Sequence, residues 1–143
     1  MSLLMRNVRV TLAILCLLGL SACAAAPNAG TQFDGTYVGA NRLTRGTGST
    51  WLCGPDTAPG LVTVGAGDFN YVVPITGPTP VVVHVRLHGD GSFSGGTEYF
   101  EVESGVFRGP LAWVTVVGHV TGTTMDAQVD TLNCGRHLSL QRG

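Results

Sequence analysis

The chain has 143 residues, with 8 arginines, no lysine, 9 acidic residues and a formal net charge of −1. That length holds one domain and is short for two. With charged residues at 12% and the arginines scattered singly, there is no basic patch of the kind phosphate recognition needs, so nucleic acid is excluded as a partner.

Residues 1–9 (MSLLMRNVR) carry Arg6 and Arg9 and no acid, and residues 10–20 (VTLAILCLLGL) are apolar apart from Thr11. Ser21 and Ala22 follow, then Cys23. A basic start, a short apolar run and a small-residue zone make a secretory signal peptide. A spanning helix needs about 20 apolar residues to cross about 30 Å of hydrocarbon, and this run is too short.

Leu20-Ser21-Ala22-Cys23 resembles the lipobox of bacterial lipoproteins. The resemblance covers residues 1–23 and implies cleavage before Cys23, a diacylglycerol on its sulfur and acylation of the new amino group. One acyl chain binds a membrane reversibly and two or more hold it stably. The mature protein is therefore expected to be anchored by lipid. Ala24 stands where the best-studied inner-membrane lipoproteins carry Asp, which by the same resemblance favours the outer membrane.

The signal also changes the cysteine count. Cys16 leaves with residues 1–22 and Cys23 takes lipid, which leaves Cys53 and Cys134 in an oxidising compartment where a lone pair is expected to be bridged. The bridge would tie an early strand to the last one. Residues 24–32 (AAAPNAGTQ) are small and polar, broken by Pro27 and Gly30, and read as a flexible tether. With Cys23 they make up segment 23–32, and residues 33–143 form the folded domain.

From Phe33 onward glycines punctuate segments rich in Val, Thr and aromatics, which is strand composition. In chain order the expected strands are Asp34–Thr44, about Thr50–Cys53, Leu61–Val64, Phe69–Ile75, Val81–Leu87, Ser92–Phe100, roughly Val102–Arg108, Trp113–Thr121, Thr124–Asp130 and Arg136–Gln141. The clearest places Val81, Val83, Val85 and Leu87 on one face and Val82, His84, Arg86 and His88 on the other. Gly89-Asp90-Gly91 and Gly122-Thr123-Thr124 are hairpin signals. Prolines 55, 59, 74, 78, 80 and 110 are placed at segment edges.

No segment after residue 32 has a helical apolar period, so the expectation is all-β. A meander of roughly eight antiparallel strands with one apolar face buries it best by closing into a β-barrel, which also removes sheet edges. The alternative is a two-sheet β-sandwich. Phe33-Asp34-Gly35-Thr36-Tyr37-Val38-Gly39 resembles the opening F-x-G-x-[WY]-x-G of small periplasmic barrel domains and, more distantly, the first strand of lipocalins and avidins, in which a Trp at the Tyr37 position plugs the barrel floor. The inward candidates are Phe33, Tyr37, Tyr71, Val83, Val85, Phe93, Val114, Val116, Met125, Val129, Leu138 and Leu140.

Catalytic chemistry has no foothold. His84 and His88 are about 13 Å apart along a strand and cannot share one ion with bonds near 2.0 Å. His119 and His137 lack a short-spaced ligand pair, so neither metal nor cofactor is expected. In Gly91-Ser92-Phe93-Ser94-Gly95, Phe93 stands where a nucleophile elbow needs serine. Asp130, His137 and Ser139 are triad residue types, but Ser139 and His137 share one strand and cannot form the hydrogen-bonded chain. Glu98, Glu101 and Glu103 read as charges on a solvated edge.

What remains is binding. Trp51 and Trp113 are the candidate contact anchors, since Trp is enriched at interaction hot spots. If Val114 and Val116 point inward, then Trp113, Thr115, Val117 and His119 line the exterior. The expected role is non-catalytic: a membrane-anchored envelope lipoprotein touching a protein partner or serving as a structural accessory. One alternative is a calyx for a small apolar ligand; another is a periplasmic protease inhibitor.

Overall fold

The computed structural model describes residues 27–46, 53–75, 79–100 and 111–143. They form eight strands: β1 (Gly35–Arg45), β2 (Thr57–Val64), β3 (Asp68–Val72), β4 (Val82–Leu87), β5 (Ser92–Phe100), β6 (Leu111–Thr121), β7 (Thr124–Asp130) and β8 (Gly135–Arg142). All ladders are antiparallel, in one sheet of order β2-β1-β8-β7-β6-β5-β4-β3. The first and last strands pair from Tyr37↔Arg142 to Arg45↔Gly135, which curls the meander into a nearly closed barrel. A two-sheet sandwich is therefore not the architecture.

Strand alternation drives the closure, because side chains on successive residues point to opposite faces. Val83, Val85 and Leu87 are buried while Val82, His84 and Arg86 are exposed. Each of the twelve inward candidates is buried in one continuous core. Phe69 and Phe93 meet edge to face with centroids 5.3 Å apart.

The opening in the sheet falls between β2 and β3, not between the first and last strands. These two strands are joined by a tight turn at Ala66-Gly67, both with positive φ, and only the Gly65↔Asp68 bridge closes their hairpin. Asp34 caps that turn by accepting from the N–H groups of Ala66 (3.0 Å) and Gly67 (3.3 Å). Beyond it the strands diverge.

Several expected boundaries shift. β2 begins at Thr57, so Pro59 lies inside a strand instead of at a segment edge. The Leu43 N–H donates to the Asp56 carbonyl in the β1–β2 register, which turns the Pro59 nitrogen away from β1 toward the open seam, where no ladder bond is lost. β3 ends at Val72, before Pro74. Cys53 sits in a turn, not on a strand, while 50–52 and the expected strand over 102–108 lie outside the described residues.

Part of the expected tether is also part of the barrel. Ala29 is buried, its N–H donates to the Leu87 carbonyl, Asn28 bridges His88, and the Gly89 N–H donates to the Pro27 carbonyl. A run of small residues leaves its backbone donors and acceptors open, and here the β4–β5 turn pairs with them. Residues 27–34 thus cover one end of the barrel, together with buried Phe33 and the Tyr37 hydroxyl that donates to the Phe33 carbonyl at 2.9 Å. The tight turns at Ala66-Gly67, Gly89–Gly91 and Gly122-Thr123 share that end. Within the β4–β5 turn, hydrogen bonds from the Ser92 hydroxyl and N–H hold the Asp90 carboxyl below its usual range. The last residues of β1, β3, β5 and β7 lie at the opposite end.

Candidate functional site

Of the sequence-predicted positions, Cys23 and Trp51 lie outside the described residues, as do Glu101 and Glu103. Cys53 and Cys134 are bridged, with Cα atoms 5.5 Å apart across a sequence separation of 81. The bridge joins two connecting loops, one before β2 and one before β8, in place of the early and last strands that were expected. Trp113 is outward on β6 and 58% exposed, in line with exposed Thr115, Val117 and His119. Phe100, paired with Leu111, and Leu132 in the β7–β8 connection are also exposed. Phe100, Leu111, Trp113 and Leu132 lie toward the end of the barrel opposite residues 27–34, and Val117 and His119 continue the row along β6 toward the other end.

The triad residue types are dispersed. Asp130 pairs with Arg45 at 3.3 Å, and the His137 ring faces Asp126 at 3.7 Å instead. His84 lies beside Asn70 (3.1 Å) and Asp68 (4.0 Å), and His119 beside the Thr121 hydroxyl at 3.0 Å. No group of three His, Cys, Asp or Glu side chains arranged for a metal ion occurs among the described residues.

A buried polar cluster that sequence reasoning missed sits just inside the disulfide. Arg136, only 2% exposed, donates from Nε to Asn41 Oδ1 (2.7 Å), from Nη2 to the carbonyls of Asn41 (3.1 Å) and Pro55 (2.8 Å), and from Nη1 to the Cys53 carbonyl. Asn41 then donates from Nδ2 to the Tyr71 hydroxyl at 2.7 Å. The planar guanidinium fork suits this role, because its donors point along fixed directions and can meet several carbonyls at once. It draws β1, β3, β8 and the Cys53–Pro55 loop together. Gly54, at φ +70°, completes the fit, since a Cβ there would overlap the Pro74 carbonyl oxygen.

The signal for this cluster was present. Leu138 and Leu140 were inward candidates, so alternation puts Arg136 inward too, and Tyr37 does the same for Asn41. A charged residue at a core position is a local inconsistency, and it resolves once the carbonyls that surround it are known.

Burial pushes the Tyr71 phenol from 10.0 up to about 12, partly offset by the Asn41 hydrogen bond and the Arg136 charge. Burial likewise lowers the Arg136 guanidinium. The fold therefore favours neutral Tyr71. That contribution is fully present below pH 10.0 and is lost as pH rises through about 12. The expected loss is about 2–3 kcal/mol over this window. Thermal melting at stepped pH should show it, and Tyr71→Phe should flatten it; an equally steep loss in that variant would assign the alkaline transition to another group.

Fold and cluster together define a class: a small, nearly closed antiparallel β-barrel whose one end is fastened by an arginine-centred plug and a disulfide. Scanned against protein-family models, curated proteins and solved structures, the chain matches none of them.

Proposed function

We propose that this protein is a lipid-anchored envelope lipoprotein, attached through Cys23 to the outer membrane, whose non-catalytic barrel faces the periplasm and contacts a protein partner. The anchor rests on Leu20-Ser21-Ala22-Cys23 standing directly after a short apolar run with a basic start. The partner surface rests on the exposed row of Trp113, Val117, Leu111, Phe100 and Leu132. Large exposed apolar side chains that gather into one patch mark interaction sites, whereas scattered single ones do not. In favour of a packed accessory over a calyx, the interior holds Tyr37, Leu87, Met125, Leu138, Leu140 and the Arg136 cluster, all out of solvent.

The anchor also orients the barrel. Residues 27–34 are fastened to one end, so only residues 24–26 lie between Cys23 and the barrel's own contacts. That end would face the lipid, and the apolar patch and disulfide would face away from it.

Fractionation of cells carrying the full-length chain or Cys23→Ser tests the anchor. The native chain is expected in the membrane fraction, extracted only by detergent, and the variant in the soluble fraction. Continued membrane association of the variant would refute the lipid reading.

A further inference from the structure

The outer wall of the barrel carries a recess of about 360 Å³ over the β1–β8 ladder, lined by Ala40, Arg42, His137 and Ser139. Register explains it. Ala40 pairs with Ser139 and Arg42 with His137, so two small side chains form a floor and two long cationic or ionisable ones form a wall. The β1–β8 register shifts between Leu43 and Arg45, immediately beyond Arg42.

Most of the described arginines are already engaged. Arg45 is occupied by Asp130 and by the carbonyls of Thr131 and Cys134, Arg86 pairs with Asp68, and Arg136 is buried on its carbonyls. The guanidinium groups of Arg42 and Arg142 have no hydrogen-bond or ion-pair partner among the described residues, and of the two only Arg42 lines the recess. A guanidinium donates and cannot accept, and its fork matches the paired oxygens of a carboxylate or phosphate. The Ser139 hydroxyl adds a donor on the floor, and the His137 ring a second nitrogen edge on the wall. The opposing group is Asp126 on β7, which pairs with Ser139 in the β7–β8 register and faces His137 at 3.7 Å, so its carboxylate borders the Ser139 and His137 side of the recess. It stands two strands away from Arg42, about 10 Å across the sheet, so it steers an anion to the Arg42 side of the recess without closing it.

We infer that Arg42, Ser139 and His137 form an oxyanion-binding site on the barrel wall, for a carboxylate or phosphate group, free or carried on a larger molecule. The recess is half open to solvent, so it would take the oxyanion group itself and leave the rest of a larger molecule outside. The site belongs to the barrel itself and is independent of the lipid anchor.

Proton NMR of the histidine C2–H signals, on the full chain in neutral detergent, tests it. Sodium phosphate and sodium acetate are titrated separately at constant pH and ionic strength, with His137→Gln assigning the His137 signal. Phosphate, acetate or both should shift that signal to saturation while those of His84, His88 and His119 stay in place. Which anion saturates identifies the group recognised. In Arg42→Gln, whose melting should match the native chain because Arg42 is exposed, the midpoint should rise at least about tenfold. Absence of saturation with both anions, equal movement of all four histidines, or an unchanged midpoint in Arg42→Gln would overturn the site.

Discussion

Arg136→Met is expected to cost the barrel on the order of 4 kcal/mol, a large share of the 5–15 kcal/mol typical of a small domain. Methionine fills much of the same space but donates nothing. The carbonyls of Cys53, Asn41 and Pro55 and the Asn41 side-chain oxygen would then stand without the donors that Arg136 supplies. Each buried acceptor left unmet costs about 1–3 kcal/mol before relaxation or water entry reduces it. In urea the midpoint should fall by about 2 M if the slope is near 2 kcal/mol per molar. Arg42→Gln, an exposed arginine one pair away on the same β1–β8 ladder, should stay within about 0.5 kcal/mol of native. A midpoint shift under about 0.5 M for Arg136→Met would show that the disulfide alone holds the loop.

Removing the bridge is the second large effect. The Cys53–Cys134 link spans 81 residues of chain, and closing a loop of that length is worth roughly 4.5 kcal/mol in the chain-entropy account. Cys53→Ser with Cys134→Ser should therefore lower the urea midpoint by an amount comparable to Arg136→Met, with native strain and residual unfolded structure able to reduce it. Disulfide and guanidinium fasten the same Cys53–Pro55 loop, so their effects should not add. Once the bridge is gone the loop is freer, and Arg136 has less ordered carbonyls to hold. The triple variant should lose less stability than the sum of the two parts, by about 0.5–3 kcal/mol. Strict additivity would separate the two fastenings and place the carbonyls of Cys53 and Pro55 outside the bridge's influence.

Both experiments act on one end of the barrel, the end that the proposed anchor would turn away from the lipid. The last residues of β1, β3, β5 and β7 lie there, with exposed Phe100, Leu111, Trp113 and Leu132. Connecting segments carry much of protein function because a rigid scaffold positions them. A bridge and a buried arginine make that end a firm base.

The amino-acid sequence by itself determined what local pattern can determine. Alternation of Val83, Val85 and Leu87 against Val82, His84 and Arg86, and of Met125, Ala127 and Val129 against their polar neighbours, is enough to name strands and to choose their inner face. Glycine-rich turns set the hairpins, and counting the strands with one apolar face leads to a closed sheet. Each of these depends on residues a few positions apart, where backbone geometry repeats. Only the tertiary structure decided what depends on residues distant in the chain. It placed the opening between β2 and β3, let Pro59 sit inside β2 because its missing N–H faces that opening, and folded residues 27–34 back over the barrel end. It also surrounded Arg136 with carbonyls from residues 81 to 95 positions away, which turned a charge at a core position into the fastening of the fold. A strand's period records which way a side chain points, and only chain closure decides what it meets there.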